Sequence, residues 1–569
     1  MKIRNQQARP FITLLLLLSF SLGAFIPISA QETRQQRERR VNPSTSSSAP
    51  TPSPTPSPTP ASTRPPIVTP SPMASSAATV PASASGSLRS VEELRARISD
   101  VLRNSEIAPA QLAVKIVSLD TGRTVYEENE DKLLMPASNM KLYTVAAALD
   151  RLSPDYRFTT SVYANARPDA AGTVRGDLTV YGRGDPTFAA SFENGDYYKA
   201  IDDLAARIVA SGVKRVEGNL VGDESYFTGP PLGWGWEWDD LQSADGAEVS
   251  ALTVNNNALD VFVKPGASVG DPVTVTTGPV TSVVKVVNQL TTGQRGTRRD
   301  VTVVRPLGLN VLVISGSVPL SDATATDKGY VGSYAITRPA ILFTEMLRKS
   351  LEQHGVTIMG QSITVDAQTR GNVSLQTSAL VEIASRQSQP LSVIAAQCLK
   401  PSQNLYAELL LRTLGRVAGK VDPKVTSADA GIEVVKTFLR GAGIGPREIV
   451  VADGSGLSRH NLITTDATVR LLVYMSRHRY SSAFREALPV AGVDGTLKNR
   501  LKGTPAAGNL RAKTGTINTV ATLSGYVTSA AGERLVFSIL LNHYPEAPSE
   551  RRVHIDAIAV ALASFAGRS

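Results

Sequence analysis

The 569-residue chain has a single cysteine, Cys398, which excludes an intramolecular disulfide framework and a cysteine-based zinc cluster. It has no His-Glu-x-x-His, so a zinc peptidase of that type is excluded too. Five histidines are present (His354, His460, His478, His543, His554), and none stands beside a Gly-x-Ser-x-Gly nucleophile elbow. A net excess of positive charge outside the N-terminal region is also lacking. The formal net charge is +9, but residues 1–90 carry nine basic and two acidic side chains, leaving only +2 for the rest. A nearly neutral body lacks the electrostatic footprint of a nucleic-acid-binding domain. Aromatic residues make up 5%, and the three tryptophans cluster as Trp234, Trp236 and Trp238. Such a cluster serves either local packing or glycan stacking.

No apolar run reaches the roughly 20 residues of a comfortable membrane span. The run Phe11–Ile26 is shorter, and it follows a positive segment containing Lys2, Arg4 and Arg9. With Ile28-Ser29-Ala30 as a small-residue cleavage point, residues 1–30 read as an export signal. An uncleaved leader is the only membrane attachment this leaves open. No cysteine closes the run, so lipid attachment there is excluded. Residues 31–88 read as a spacer without a core. Twelve of the 35 prolines lie between Asn42 and Ser87, among Ser, Thr and Ala, a composition that stays extended and semi-rigid.

Periodic patterns begin at Ser90. Val91–Arg103 is expected to be an amphipathic helix, followed by strands Gln111–Leu119 and Thr124–Glu127 and a helix from Pro136 to Leu152. From about 155 to 365 the chain alternates short Val-, Thr- and Gly-rich runs with turn residues, which reads as β-rich. Helical patterns return at Ala379–Ser385, Pro390–Ala396 and Asn404–Leu414. A hairpin of Val520–Thr528 and Glu533–Asn542 and a helix Glu550–Phe565 close the chain. An α+β fold, an antiparallel sheet with flanking helices, is the economical assembly.

Three short motifs carry candidate chemistry. In Ser138-Asn139-Met140-Lys141, positions i and i+3 of a helix share a face, so a hydroxyl and an ammonium come within mutual reach. Desolvation of Lys141 would lower its pKa toward that of a base. In Ser402-Gln403-Asn404 a hydroxyl and an amide stand two residues apart before a helix. In Lys513-Thr514-Gly515-Thr516, Lys513 and Thr514 suit a carboxylate, and Gly515 allows a substrate backbone to come close. Each motif alone is ordinary; their order is not. Gly454-Ser455-Gly456 looks like a further serine motif and reads as a tight turn. Cys398, among Ile394, Ala395, Ala396 and Leu399, reads as a buried, inert thiol.

Ser-x-x-Lys, then Ser-x-Asn, then Lys-Thr-Gly is the set used by penicillin-binding proteins and serine β-lactamases, and the chain resembles that superfamily. Ser138 and Ser402 are 264 residues apart, whereas Ser402 and Lys513 are only 111 apart. So large an insert after the first motif is similar to the low-molecular-mass class C penicillin-binding proteins, the D-alanyl-D-alanine carboxypeptidase/endopeptidases of peptidase family S13. Gly182–Thr187, Val216–Leu220, Asp453–Ser458 and Asp494–Leu497 are similar to that family as well.

The resemblance implies a transpeptidase-like catalytic domain made of residues 89–154 and 366–569, interrupted by β-rich inserted subdomains at 155–365. It implies that Ser138 attacks the penultimate D-Ala carbonyl while Lys141 takes its proton. Ser402 would relay a proton to the departing amine with Lys513 or Lys141, and Asn404 would bond the acyl-side amide. Lys513, Thr514 and Thr516, with Gly515, would hold the terminal carboxylate. The N–H groups of Ser138 and Thr516 would form the oxyanion hole. The implied partners are peptidoglycan stem peptides and β-lactam inhibitors, with no metal, no cofactor and no nucleic acid. The implied location is the periplasm or cell envelope. A serine β-lactamase or esterase, and a catalytically silent wall-binding protein, share the same motifs and stay open.

Overall fold

The computed structural model describes residues 88–320, 328–420 and 422–569. The expected leader and spacer, apart from residue 88, lie outside the described residues. The first helix, Val91–Leu102, starts on a capping box. The Ser90 hydroxyl accepts the Glu93 N–H at 3.1 Å, and the Glu93 carboxylate accepts the Ser90 N–H at 3.3 Å.

Five strands form one antiparallel sheet in the order Arg511–Ile517, Val520–Thr528, Arg534–Asn542, Gln111–Ser118, Thr124–Glu128. The beginning and the end of the described chain are thus zipped together, with Ala113 opposite Leu540. The strand Arg534–Asn542 is buried at every position except Arg534, because both of its faces are covered. Leu535, Phe537, Ile539 and Leu541 pack beneath the helices Val91–Leu102 and Pro548–Ser564. Val536 and Leu540 enter a second core with Met140–Leu152, Leu391–Leu399 and Asn404–Val417. Each such side chain contributes about 1.5–3 kcal/mol on burial. Met140–Leu152 is buried at every residue except Asp150 and Arg151, as a helix enclosed by others must be.

Between residues 159 and 387 the chain builds a separate core. Its main sheet runs Ser362–Val365, Leu220–Asp223, Leu178–Tyr181, Thr159–Ala164, Val381–Gln387. Three-stranded sheets stand beside it, one of Lys285–Gly293, Val311–Pro319 and Asp300–Val304, another of Tyr330–Ala335, Ala258–Lys264 and Thr274–Gly278. Two helices, Lys199–Ala210 and Pro339–Gln353, occur in a stretch expected to be strands.

A second departure lies at Ala379–Ser385, expected to be helical. Val381–Gln387 is a strand paired with Thr159–Ala164, so this sheet continues past residue 365. The pairing register shifts between Glu382 and Ala384. That bulge places buried Ile383 and Arg386 three residues apart, a helical spacing on an extended chain. A third departure is at Pro136, where the α-helix starts only at Met140 and Ala137–Asn139 form a separate 3₁₀ turn.

Arg183-Gly184-Asp185 is structural. The Arg183 guanidinium donates to the Thr159 carbonyl at 2.9 Å, and Asp185 is buried. Buried Arg386 holds Asp185 at 3.3 Å and Glu193 at 3.1 Å. Removing Arg386 leaves the Asp185 carboxyl without its counter-charge, which costs about 3–5 kcal/mol for a buried pair. Arg386→Ala is therefore expected to lower the thermal midpoint sharply, and Asp185→Asn in that background to restore part of the loss. A scan showing no drop for Arg386→Ala rejects this account.

Candidate active site

The segment ahead of the central helix is clamped to the sheet. The Thr522 hydroxyl donates to the Pro136 carbonyl at 3.0 Å, and the Asn139 amide donates to the Ser524 hydroxyl at 2.8 Å. Ala137 adopts φ +46°, a region a non-glycine residue occupies only when its surroundings enforce it. Gly456 supplies part of that enforcement, since a Cβ there would lie 1.8 Å from the Ala137 carbonyl oxygen. Gly515 fits the same segment from the strand side. A Cβ on it would meet the Thr522 hydroxyl at 2.2 Å and the Pro136 carbonyl at 2.8 Å. The absent side chain at Gly515 thus makes room for the protein's own backbone, where the sequence suggested room for substrate.

The clamped turn presents Ser138, half-exposed, above Lys141, which is fully buried. The Lys141 amine lies 2.8 Å from the Ser138 hydroxyl, 2.6 Å from Asn404 Oδ1 and 2.7 Å from the Ser455 carbonyl. Asn404 opens the helix Asn404–Val417, and its Nδ2 donates to the Asp245 carbonyl at 3.0 Å. A second serine–lysine pair repeats the pattern. Lys513, fully buried, donates to the Ser402 hydroxyl at 2.8 Å and to the Thr514 carbonyl at 2.8 Å. Ser402 sits at φ +69°, just before that helix. Thr514 is buried with its hydroxyl 2.7 Å from that of Thr496, while Thr516 is exposed. Gly454-Ser455-Gly456, read from sequence as a turn, is one, and its Ser455 carbonyl reaches Lys141.

Sequence reading missed three contributors. Glu408 stands one helical turn beyond Asn404 and accepts the Gly454 and Ser455 N–H groups at 2.9 and 2.8 Å. Asp453 accepts the Gly456 and Ser458 N–H groups, each at 2.7 Å, and the Trp236 indole N–H at 2.9 Å. Thr496 donates its N–H to the Lys400 carbonyl at 2.9 Å, and Lys400 pairs with Asp494, so its loop is stapled next to Ser402. The advance signals were the i, i+4 spacing of Asn404 and Glu408 on one helix face and the segments Asp453–Ser458 and Asp494–Leu497, noted above without a role for any of their residues. Of the tryptophans, Trp234 stacks on His460, Trp236 is engaged by Asp453 and Trp238 is exposed. The pentapeptide Gly266–Gly270 has the Gly-x-Ser-x-Gly spacing, but its Ser268 is exposed and its backbone bonds Asp271. Among the described residues no cluster of three side chains is arranged to hold a metal ion.

The model of the D-Ala-D-Ala carboxypeptidase 3 (S13) family matches residues 94–562. The chain belongs to this family. It is 36% identical over 498 residues to the D-alanyl-D-alanine carboxypeptidase of Actinomadura sp. (strain R39), covering 86% of this chain and 87% of that one. It is 27% identical to the D-alanyl-D-alanine carboxypeptidase DacB of Haemophilus influenzae over 75% of this chain and 84% of that one. The crystal structure of penicillin binding protein 4 from Haemophilus influenzae superposes with a TM-score of 0.67 at 24% identity, over 82% of this chain and 98% of that one. The S13 chain therefore shares that fold.

Burial sets the charge balance of this S13 site. Desolvation holds the Lys141 ammonium below its ordinary pKa, opposed by Cys398, Asp453, Asp245 and Glu408. Desolvation, and then the Lys141 charge, hold Lys513 well below the usual lysine value. Burial pushes the Cys398 thiol up to about 11, as expected for an inert thiol. Lys513 holds its proton less tightly in the folded chain than in the unfolded one. Stability therefore rises with pH between the folded value and the unfolded value of about 10.4. We expect the thermal midpoint of the wild type to climb relative to Lys513→Met from about pH 6 to pH 9. Parallel curves would mean that Lys513 takes up no proton on unfolding.

Proposed function

We propose that catalysis proceeds through an acyl-enzyme on Ser138, with the two serine–lysine pairs dividing the proton transfers. The chain is a serine-type D-Ala-D-Ala carboxypeptidase acting on peptidoglycan stem peptides. Ser138 Oγ attacks the penultimate D-Ala carbonyl carbon while its proton passes to neutral Lys141. The C–N bond then breaks, and the D-Ala amine leaves with the proton that Ser138 gave up to Lys141, passed on through Ser402 with Lys141 or Lys513. Water attacks the ester and frees Ser138. The observation that carries this reading is the 2.8 Å contact between the buried Lys141 amine and the Ser138 hydroxyl, because a general base must reach the proton it removes.

Asn404 holds Lys141 in the resting site and stands where it can meet the acyl-side amide. Lys513, Thr514 and Thr516 hold the terminal carboxylate, with Gly515 keeping their strand close to the nucleophile turn. The N–H groups of Ser138 and Thr516 are assigned to the oxyanion. A DD-endopeptidase reaction needs the same acyl-enzyme with a crosslinked amine as the leaving group. A β-lactam acylates Ser138 likewise, but its leaving group remains tethered and release is slow. The catalytic domain comprises 89–154 and 366–569 around an insert at 155–365, with Val381–Gln387 given back to the insert's sheet. The charged and apolar pattern of residues 1–30 supports export to the cell envelope.

The decisive measurement is intact mass after incubation with penicillin, followed by peptide mapping. A stable adduct on Ser138 is expected, lost in Ser138→Ala with the fold retained. Lys141→Ala should slow acylation by about 10²–10⁴-fold, the usual worth of a general base. An adduct that survives Ser138→Ala would sink the assignment; penicillin consumed without an adduct would mark a β-lactamase.

A further inference from the structure

Lys141 can act as a base only if its lone pair faces Ser138, and a primary amine is free to rotate. Two of its three neighbours are oxygens that can only accept, Asn404 Oδ1 at 2.6 Å and the Ser455 carbonyl at 2.7 Å. The Asn404 amide cannot be reversed, because its Nδ2 donates to a backbone carbonyl, that of Asp245. With two N–H bonds directed to these acceptors, the remaining lone pair of the neutral amine is directed at the Ser138 hydroxyl. The aim of the base thus depends on where the Ser455 carbonyl points.

That carbonyl is fixed through its own peptide group. The Gly456 N–H on the other side of the same peptide donates to Asp453 Oδ1 at 2.7 Å. Asp453, 1% exposed, also takes the Asn461 amide at 2.8 Å, the Ser458 N–H at 2.7 Å and the Trp236 indole at 2.9 Å. Glu408, also 1% exposed, takes both N–H groups of the preceding residues, Gly454 and Ser455. Two buried carboxylates therefore grip four successive or nearly successive backbone amides of one short turn.

We propose that Asp453 and Glu408 are positioning residues that fix the Ser455 carbonyl and so aim the Lys141 lone pair at Ser138, Asp453 holding the peptide itself and Glu408 the peptides before it. The proposal rests on the reading of Lys141 as the base. Neither residue is hydrogen-bonded to Ser138, and both are 1% exposed. Both carboxylates also bring negative charge to Lys141, which faces Cys398 and Asp245 as well and whose charge acts on Lys513. Glu408 itself is pushed up to about 7 by burial, with Asp453 adding to the rise.

The test is the rate of Ser138 acylation by penicillin as a function of pH, for the wild type and for Asp453→Asn, Glu408→Gln, Thr144→Val and Lys141→Ala. Asp453→Asn is nearly isosteric but turns one acceptor oxygen into a donor. Its plateau rate should fall on the order of 10²-fold, the usual result of a small misplacement. Its acid limb should move to lower pH, because removing a negative charge disfavours the ammonium. Glu408→Gln keeps an acceptor for the two amides, so it should lose less of the plateau while its acid limb moves the same way. Thr144→Val removes only the bond from the Thr144 hydroxyl to the Gly454 carbonyl, 2.7 Å. It should lower the thermal midpoint and leave the limb in place.

Acid limbs for Asp453→Asn and Glu408→Gln that coincide with the wild type would overturn the proposal. So would a limb shift in Thr144→Val as large as theirs. Should Asp453→Asn fail to fold, the comparison of Glu408→Gln with Thr144→Val decides on the same criterion. Lys141→Ala separates the two levels. If it acylates at the wild-type rate, the base assignment fails and takes this proposal with it. If it is slow while Asp453→Asn matches the wild type, only the positioning role fails.

Discussion

Burying the Lys141 amine costs several kcal/mol unless its polar hydrogens meet acceptors, and this chain supplies its three partners from separated stretches. Ser138 comes from the turn before the central helix, Asn404 from the start of another helix, and the Ser455 carbonyl from a loop farther on. None of the three can shift without leaving a buried polar group unpaired. The surrounding structure reads as the means of holding them. The sheet fastens the Ser138 turn through Thr522 and Ser524, and two buried carboxylates fasten the loop.

The second pair, Lys513 and Ser402, repeats the arrangement of an amine below a hydroxyl that reaches solvent. Burial shifts both amines toward the neutral form, and the charge of Lys141 works against the charge of Lys513. The mechanism proposed above needs such an arrangement, in which a proton passes between an amine and a serine hydroxyl. The unfavourable backbone at Ala137 and Ser402 belongs to the same design. Strain at two residues is tolerated because sheet and loop over-determine their positions.

Where local pattern and tertiary environment agree, the elements were legible. Val91–Leu102, the hairpin around Ser529–Gly532 and Asn404–Val417 carry their own caps, turns and periods. The strand Val381–Gln387 was not legible, because a bulge gave it the buried spacing of a helix. The helices Lys199–Ala210 and Pro339–Gln353 were hidden among strand-like runs on either side. In the site, Ser138, Lys141, Ser402, Asn404, Lys513 and Thr514 could be named from three motifs. Glu408 lay in no motif, and Asp453 and Thr496 lay in segments whose resemblance gave them no role, since each acts through backbone amides or another side chain.

By itself the sequence determined the chemical inventory and its order: two Ser–Lys combinations, an amide, a Lys-Thr-Gly motif, and no histidine or cysteine motif to compete with them. Those are properties of residue type and spacing, which a linear chain already contains. Only the tertiary structure decided which serine meets which lysine, that both amines are buried, and that Gly515 serves the packing of the turn before Ser138. These depend on contacts between positions up to several hundred residues apart. Such contacts exist only once the N-terminal strand is paired with the C-terminal hairpin.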